Sequence, residues 1–198
     1  MNENYPMPAM PEGAREGILK GMYKFKSSER REAPLRAHLL GSGAILNEAL
    51  KAQAVLEERY GVAADVWSVT SYKELRRDGL DVERWNMLHP GEEPKTSYVA
   101  QCLEHEQGVF VAASDYLQLL PDGIGRWFPK PLVALGTDGF GRSESRSALR
   151  DFFEVDARFI VIGTLHALLR DKKVKPNVVT QALKDLGIDP DKSNPLYR

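Results

Sequence analysis

One glycine-rich stretch, LGTDGFGRSESR at positions 135–146, carries the residue types in this chain best suited to meet a ligand or partner. An apolar run ends there in glycines, an aspartate, an aromatic residue and an arginine, before a predicted polar helix. Backbone amides at a helix start can receive an anion, and Arg142 offers a planar fork for one. Glu144, however, places negative charge in the predicted first turn, where it complements the helix dipole and repels a second anion. The stretch therefore favours a joint between packed domains over a phosphate site.

A second glycine pair, in Gly41-Ser42-Gly43, lies between a predicted strand and a predicted helix, as in dinucleotide-binding turns. Leu46 stands where the third glycine of that fingerprint belongs. The acid that would bind a ribose is also misplaced, because Asp65 begins the next strand while Thr70 occupies its carboxyl end. We interpret the glycines as a tight strand-to-helix turn.

The histidines, cysteine and acidic residues form no catalytic or metal-binding pattern in the sequence. Glu104-His105-Glu106 looks like a ligand cluster, but neighbouring residues on a helix point in different directions, so we interpret it as a solvated helix end. Cys102 is the single cysteine and cannot form an internal disulfide. A thiamine diphosphate loop needs Gly-Asp-Gly and a nearby asparagine, whereas Thr137 replaces the first glycine and Asn177 is too distant. We therefore predict no catalytic, cofactor-binding or metal-binding residue in this chain.

Overall charge and hydropathy narrow the class of protein. The 198 residues carry a formal net charge of −1, so no large basic field is present to gather nucleic acid or an anionic membrane. The densest apolar window, 159–169, is shorter than the roughly 20 residues that cross a bilayer. The N-terminus lacks the basic and apolar parts of a signal peptide. A cytoplasmic protein with no nucleic-acid or membrane partner is expected.

Predicted strands and helices alternate along most of the chain. Strands are predicted at 22–26, 35–40, 64–70, 108–113 and 131–135, and helices at 45–60, 143–153, 156–169 and 174–187. Residues 159–162 taken alone could also form a strand, but the length of the segment and a cap at Asp156 favour the helix. Short apolar runs alternating with helices are typical of a mostly parallel sheet covered on both faces. The proline-punctuated segment before the first strand predicts an extended arm, so we divide the chain into an arm at 1–21 and one α/β domain at 22–198.

Four stretches of the sequence resemble a known family. MNENYPMPAMPEG at 1–13, DVWSVTSYKELRRDG at 65–79, ERWNMLHP at 83–90 and LGTDGFGRSESR resemble the C-terminal region of the homodimeric bacterial pyruvate dehydrogenases. These enzymes are the thiamine-dependent first component of a multienzyme complex, and they decarboxylate pyruvate and acetylate the lipoyl group of dihydrolipoyl acetyltransferase. The resemblance implies a transketolase C-terminal-like fold, a three-layer α/β sandwich whose mostly parallel sheet has one antiparallel edge strand at 22–26.

The resemblance also implies which molecules this chain contacts. In such enzymes thiamine diphosphate and magnesium lie between the two preceding domains of opposite subunits, so no cofactor is expected in this chain. The expected partners are those preceding domains, the second subunit and, in the complex, dihydrolipoyl acetyltransferase. Two alternatives remain open: a self-standing nucleotide-binding or flavodoxin-like module, and an adaptor that docks the acyltransferase core.

Two sets of residues are predicted to form domain or subunit interfaces. The carboxyl ends of parallel strands are where ligands and partners dock, and tryptophan and arginine are common interface anchors. For Trp85, burial in the core is an equally good interpretation of the sequence. The candidates are Gly139, Phe140, Gly141, Arg142 and Ser143 in the first set, and Arg84, Trp85, Asn86 and His89 in the second.

Overall fold

The computed structural model describes residues 6–30 and 32–198 and shows a five-stranded sheet in the order β1-β3-β2-β4-β5. The strands are β1 (Met22–Lys26), β2 (Leu35–Ser42), β3 (Val62–Val69), β4 (Val109–Ala113) and β5 (Leu132–Leu135). Strand β1 pairs antiparallel with β3, and the other neighbours are parallel. The predicted mostly parallel sheet with an antiparallel edge strand at 22–26 is confirmed.

Eight α-helices flank this sheet within the described residues. They are α1 (Arg15–Lys20), α2 (Leu46–Arg59), α3 (Tyr72–Leu88), α4 (Tyr98–Leu103), α5 (Leu119–Asp122), α6 (Arg146–Phe152), α7 (Ala157–Arg170) and α8 (Pro176–Asp185). Short 3₁₀ turns occur at Gly43–Ile45, Gly125–Trp127 and Pro195–Tyr197. None of the helices in this part of the chain has the length and apolar character needed to span a bilayer.

Each face of the sheet carries its own core, because successive strand residues point to opposite sides. Leu39 of β2 belongs to the core under α2, α7 and α8, whereas Leu40 belongs to the core under α3 and α4. Every residue of β3 is buried, as expected for a strand covered on both faces. The three-layer sandwich is confirmed.

The helix boundaries follow from capping side chains. Asp156 caps α7 as its position in the sequence predicts: its carboxylate accepts the Arg158 and Phe159 amide protons at 2.9 and 3.3 Å. The prediction that the preceding helix begins at 143 is wrong. Helix α6 begins at Arg146 because the Ser145 hydroxyl accepts the Ala148 amide proton and so provides the cap.

The N-terminal arm predicted at 1–21 is only partly described, since residues 1–5 lie outside the described residues, as does residue 31. Residues 6–11 follow an irregular path, and their side chains are largely exposed. Residues 15–20 form α1, which packs on the domain: the Thr70 hydroxyl donates to the Ile18 carbonyl at 2.8 Å. Gly21 ends α1 with a left-handed φ of 110°. The second half of the predicted arm is therefore a helix in contact with β1, and the boundary at 21 stays a prediction.

Candidate domain-interface site

The loop after β5 is held in place by the loop after β4. Thr137 donates its amide proton to the Tyr116 carbonyl at 2.9 Å and its hydroxyl proton to the Asp115 carbonyl at 2.8 Å. The Asp138 carboxylate accepts the Gln118 amide proton at 3.1 Å. Because β4 and β5 are parallel neighbours, both loops leave the same carboxyl edge of the sheet.

Gly139 allows this loop to approach the C-terminal turn closely. Its φ is +101°, and a β-carbon at this position would lie 2.5 Å from the Pro195 carbonyl oxygen. A side chain is therefore excluded by both backbone strain and contact. The glycine serves the packing of Pro195–Tyr197 against the loop, which sequence reasoning did not predict.

The predicted anchor Phe140 is 80% exposed and belongs to an apolar surface that three loops build together. Leu119 is 72% exposed and Tyr197 is 79% exposed. The hydrogen bonds of Thr137 and Asp138 join the loop after β5 to the loop after β4, and the close approach of Gly139 to Pro195 joins it to the C-terminal turn. We call this set the carboxyl-edge surface; its members are Tyr116, Leu117, Leu119, Leu120, Phe140, Leu196 and Tyr197. Exposed large apolar residues clustered in this way are typical of a surface that another protein domain covers.

The remaining members of the first predicted set lie at the margin of the carboxyl-edge surface. Arg142 places its guanidinium carbon 4.2 Å from the centre of the Phe152 ring, a cation–π contact, and lines a hollow of about 240 Å³. Gly141 lines the same hollow, and Ser143 is exposed and precedes α6. Glu144 also precedes the helix, with its carboxylate accepting the Ser145 amide proton at 2.9 Å. The prediction that Glu144 lies in the first helical turn is therefore wrong.

The second predicted set lies in the last turns of α3 and in the residue that follows. Trp85 is half-buried, and its ring stacks on the His89 ring with centroids 4.4 Å apart. The Lys95 ammonium lies 3.9 Å from the Trp85 ring centre, and Asn86 exchanges two hydrogen bonds with the Lys95 backbone. Trp85 is thus held by local contacts and lies outside both buried core clusters. Arg84 is exposed.

The two predicted sets lie at different edges of the sheet. Helix α3 begins directly after the carboxyl end of β3 and runs back for 17 residues, about 25 Å. Its last turns therefore lie toward the amino ends of the strands, away from Phe140. Met87 and Leu88 are also exposed there, at 71% and 51%, and sequence reasoning missed them. The signal available was the adjacent apolar pair Met87-Leu88 in an otherwise polar stretch, but no helix was predicted at 72–88.

The glycine pair before α2 forms part of a strand. Strand β2 extends through Ser42, so the prediction of a turn at 41–43 is wrong at its first two positions. A β-carbon on Gly41 would lie 2.6 Å from the Leu46 α-carbon. Gly41 therefore permits the close approach of strand and helix backbones, which explains it without a bound nucleotide.

A buried polar cluster on the α3 side of the sheet was missed by sequence reasoning. His38, Asp65 and Glu106 each place one potential metal-ligand atom within 4.8 Å of the others. The Lys24 ammonium lies 3.1 Å from Asp65 Oδ2 and 2.5 Å from Glu106 Oε1. Glu106 was interpreted as part of a solvated helix end, which is wrong for this residue. No sequence spacing links residues so far apart along the chain.

Charge in this cluster follows from burial and hydrogen bonding. Burial lowers the pKa of His38, which keeps the ring neutral, and the Gln107 carbonyl opposes this only in part. Burial alone would raise the pKa of Asp65, but hydrogen bonds from the Ser28 amide and Lys24 outweigh it and lower the value. Burial also disfavours the Lys24 ammonium, yet its bonds to Glu106 and Asp65 raise the pKa of Lys24.

Comparison with known families identifies the fold. The family model of the transketolase-like TK C-terminal domain matches residues 21–156. The chain belongs to this family.

Solved transketolases show the same fold as this transketolase C-terminal-like domain. A transketolase structure from Pichia stipitis matches with a TM-score of 0.57 at 15% identity, covering 84% of this chain and 20% of that chain. A transketolase from Leishmania mexicana matches with a TM-score of 0.52 at 17% identity, covering 78% and 19% of the two chains. At these identities the likeness concerns the fold alone.

Curated bacterial proteins resemble this transketolase C-terminal-like domain from end to end. The pyruvate dehydrogenase E1 component of Pseudomonas aeruginosa is 53% identical over 197 residues, covering 99% of this chain and 22% of the relative. The Escherichia coli K12 protein of the same name is 47% identical over 196 residues, covering 98% and 22%. The resemblance inferred from four short motifs is confirmed. The chain spans about 22% of the length of these relatives.

Proposed function

We propose that this chain is the C-terminal structural and interface domain of a pyruvate dehydrogenase of the acetyl-transferring type. The whole enzyme would decarboxylate pyruvate and acetylate the lipoyl group of dihydrolipoyl acetyltransferase. The observation that carries the proposal is the match of this chain, over 98–99% of its length, to proteins named pyruvate dehydrogenase E1 component. An identity of 47–53% over so much of the chain supports the same backbone fold in this chain and in its relatives. It also supports the same packing of that fold against the rest of the enzyme.

The domain itself is proposed to be non-catalytic. The loop after β5 does not match a thiamine diphosphate loop, because Thr137 replaces the first glycine and one oxygen of Asp138 accepts the Gln118 amide proton. The backbone of Gly139 packs against Pro195, so no diphosphate can approach the glycine there. Asn177 lies in α8, on a different element from the loop. We propose that the cofactor is held by the preceding domains, as the family resemblance implies.

The carboxyl-edge surface is proposed to pack against a preceding domain of the same enzyme. Gly139, Phe140, Gly141, Arg142 and Ser143 would form one side of this joint, together with the apolar residues of the loop after β4. The interface core would be apolar, with Arg142 near its rim, as is usual for protein interfaces. Arg84, Trp85, Asn86 and His89 are proposed as a separate contact, and residues 1–21 as an arm that leads into the domain at 22–198.

A chimeric enzyme tests this proposal directly. In the Pseudomonas aeruginosa relative, the portion that aligns with this chain over 197 residues at 53% identity would be replaced by the corresponding residues of this chain. We expect the chimera to bind thiamine diphosphate, decarboxylate pyruvate and acetylate a lipoyl domain, whereas the relative truncated before this portion should not assemble correctly. A chimera that folds and binds thiamine diphosphate but lacks both activities would contradict the proposed role.

The isolated chain provides the complementary measurement. Isothermal titration of thiamine diphosphate with magnesium should show no stoichiometric binding, and the chain alone should not decarboxylate pyruvate. A magnesium-dependent site in the isolated chain would disprove the non-catalytic assignment. Absorbance of a nucleotide retained after purification would instead favour the self-standing nucleotide-binding module.

A further inference from the structure

We infer that residues 1–5 of this chain bind at the carboxyl edge of the sheet and that the Glu3 carboxylate enters a basic hollow between α2 and α6. These five residues, MNENY, lie outside the described residues, whereas the hollow and the chain that leads to it are described. The inference does not depend on the proposed function, because both partners belong to this chain.

The described part of the N-terminal arm follows the carboxyl edge of the sheet. Helix α1 lies beside the end of β3, where the Thr70 hydroxyl donates to the Ile18 carbonyl at 2.8 Å. Toward the N-terminus, the arm reaches the start of α2, just after the end of β2. There the Asn47 side-chain amide donates to the Pro6 carbonyl at 3.4 Å and lies 3.5 Å from the Met7 sulfur. The arm thus passes from the end of β3 to the end of β2, and the strand order puts β4 and β5 next on that course.

A polar hollow of about 450 Å³ lies on that course, between the start of α2 and α6. It begins beside Asn47, because Glu48 is the next residue of the helix and Lys51 lies one turn later on the same side. Its far wall is α6, which follows the loop after β5. The lining residues are Glu48, Lys51, Arg146, Ser147, Arg150 and Asp156.

The Glu48 carboxylate is shared by two cations of this hollow. Its Oε1 accepts from Arg150 Nη1 at 2.9 Å and from Lys51 Nζ at 2.8 Å, and its Oε2 accepts the Ala157 amide proton at 3.1 Å. Only 7% of the Glu48 side chain and 12% of the Arg150 side chain are exposed, so this group is a fixed part of the fold. One carboxylate therefore serves two positive charges on this side of the hollow.

Other charged side chains around the hollow interact with one another. Asp151 and Asp156 share the single guanidinium of Arg158. Asp115 and Arg142 line the adjoining hollow together. The two carboxylates that share one cation offset the two cations that share Glu48, so these charges balance as a group.

Arg146 adds one positive charge to this balanced group, at the start of α6. A guanidinium binds a carboxylate through two parallel hydrogen bonds, so an acidic side chain complements this position. Glu3 is the one acidic residue among positions 1–5. The chain from Glu3 to Pro6 spans at most about 10 Å, so the carboxylate can reach the hollow from the contact at Asn47. Under the proposed function, the same contact would bring the preceding domains toward the carboxyl-edge surface.

A paramagnetic label locates the segment in the whole chain. Cys102→Ser removes the native thiol, and Asn2→Cys carries a nitroxide next to an intact Glu3. We expect the label to broaden the amide signals of residues 146–150 in NMR spectra, because the effect of a nitroxide falls steeply with distance. A nitroxide on Glu12→Cys, at an exposed position of the arm near α1, is the matched control and should broaden these signals much less.

Charge exchange tests the role of the Glu3 carboxylate. Glu3→Lys should reduce the broadening from the label at position 2 and lower the folding equilibrium constant about 3-fold, the scale of a partly exposed ion pair. Adding Arg146→Glu should restore both. Lys51→Glu, at an exposed position of the same hollow, serves as the exchange if Arg146→Glu does not fold. Glu12→Lys is the matched control and should change neither quantity.

Equal broadening from labels at positions 2 and 12 would overturn the inference. Broadening that Glu3→Lys leaves unchanged, or that neither charge exchange restores, would also overturn it. Saturable shifts of the signals of residues 146–150 on addition of inorganic phosphate to the native chain would assign the hollow to a free anion instead.

Discussion

Truncation of Phe140 to alanine distinguishes a residue of a domain interface from a residue that stabilises the domain itself. In the isolated chain the side chain is 80% exposed, so its removal deletes little packing. We expect the free energy of unfolding to change by less than ~0.5 kcal/mol, the usual range for exposed positions. Truncation of Phe110, a β4 residue that is fully buried in the core on the α3 side of the sheet, should lower the free energy of unfolding by ~3–5 kcal/mol.

In the assembled enzyme the same truncation should have a much larger effect. A phenylalanine side chain that presents four fifths of about 200 Å² can bury roughly 160 Å² against a partner, worth up to ~4 kcal/mol at ~25 cal/mol per Å². Alanine truncations of well-packed interface aromatics cost ~2 kcal/mol or more. A loss of ~2 kcal/mol corresponds to a roughly 30-fold weaker association between the domain and its neighbour.

Three assays compare these effects. Urea unfolding of the isolated chain measures domain stability, while thermal unfolding and pyruvate decarboxylation by the chimeric enzyme measure assembly. Leu19→Ala is the matched control, because Leu19 is a 71% exposed apolar residue on α1, which packs beside β1 at the opposite edge strand from β5, and it is not a member of the carboxyl-edge surface. The reasoning is refuted if Phe140→Ala destabilises the isolated chain as much as Phe110→Ala, or if the chimera responds to Phe140→Ala no more than to Leu19→Ala.

Three further predictions concern the domain itself. The pKa of His38 is lowered in the folded state, so the unfolded chain binds more protons, and the free energy of unfolding should fall as the pH drops from about 7 to about 5. In urea unfolding, this free energy should depend less on pH for His38→Gln than for the native chain. An equal dependence on pH in the two proteins would contradict this. Gly41→Ala should destabilise by ~1–3 kcal/mol in urea unfolding through contact with Leu46, whereas Gly91→Ala, with open space around it, should be nearly neutral; similar losses in both would be inconsistent with the packing described. Ser71→Ala should remove the cap of α3 and cost ~1 kcal/mol by the same measurement, and no loss would show that the cap is unimportant.

The candidate interface was predictable only in part. A glycine-rich loop with an aromatic residue after the last strand indicates an exposed turn, and Phe140 is indeed exposed. The sequence did not reveal that Pro195–Tyr197 packs against Gly139, since the two segments are separated by α6, α7 and α8. Trp85 illustrates the same limit. The sequence offered burial in the core or a role as an exposed interface anchor, and neither describes its position between the His89 ring and the Lys95 ammonium.

Local signals in the sequence determined the five strands, four of the eight helices of the described residues (α2, α6, α7 and α8) and the family of this protein. Apolar runs, the Asp156 cap and the glycines that end helices act over a few residues, so strand order along the chain and the α/β class could be inferred from them. The tertiary structure alone decided which distant side chains meet. His38, Asp65, Glu106 and Lys24 form one cluster because parallel strand pairing sets His38 beside Asp65, and burial then makes their charges interact strongly. The carboxyl-edge surface likewise exists only because parallel strands place their following loops at one edge of the sheet.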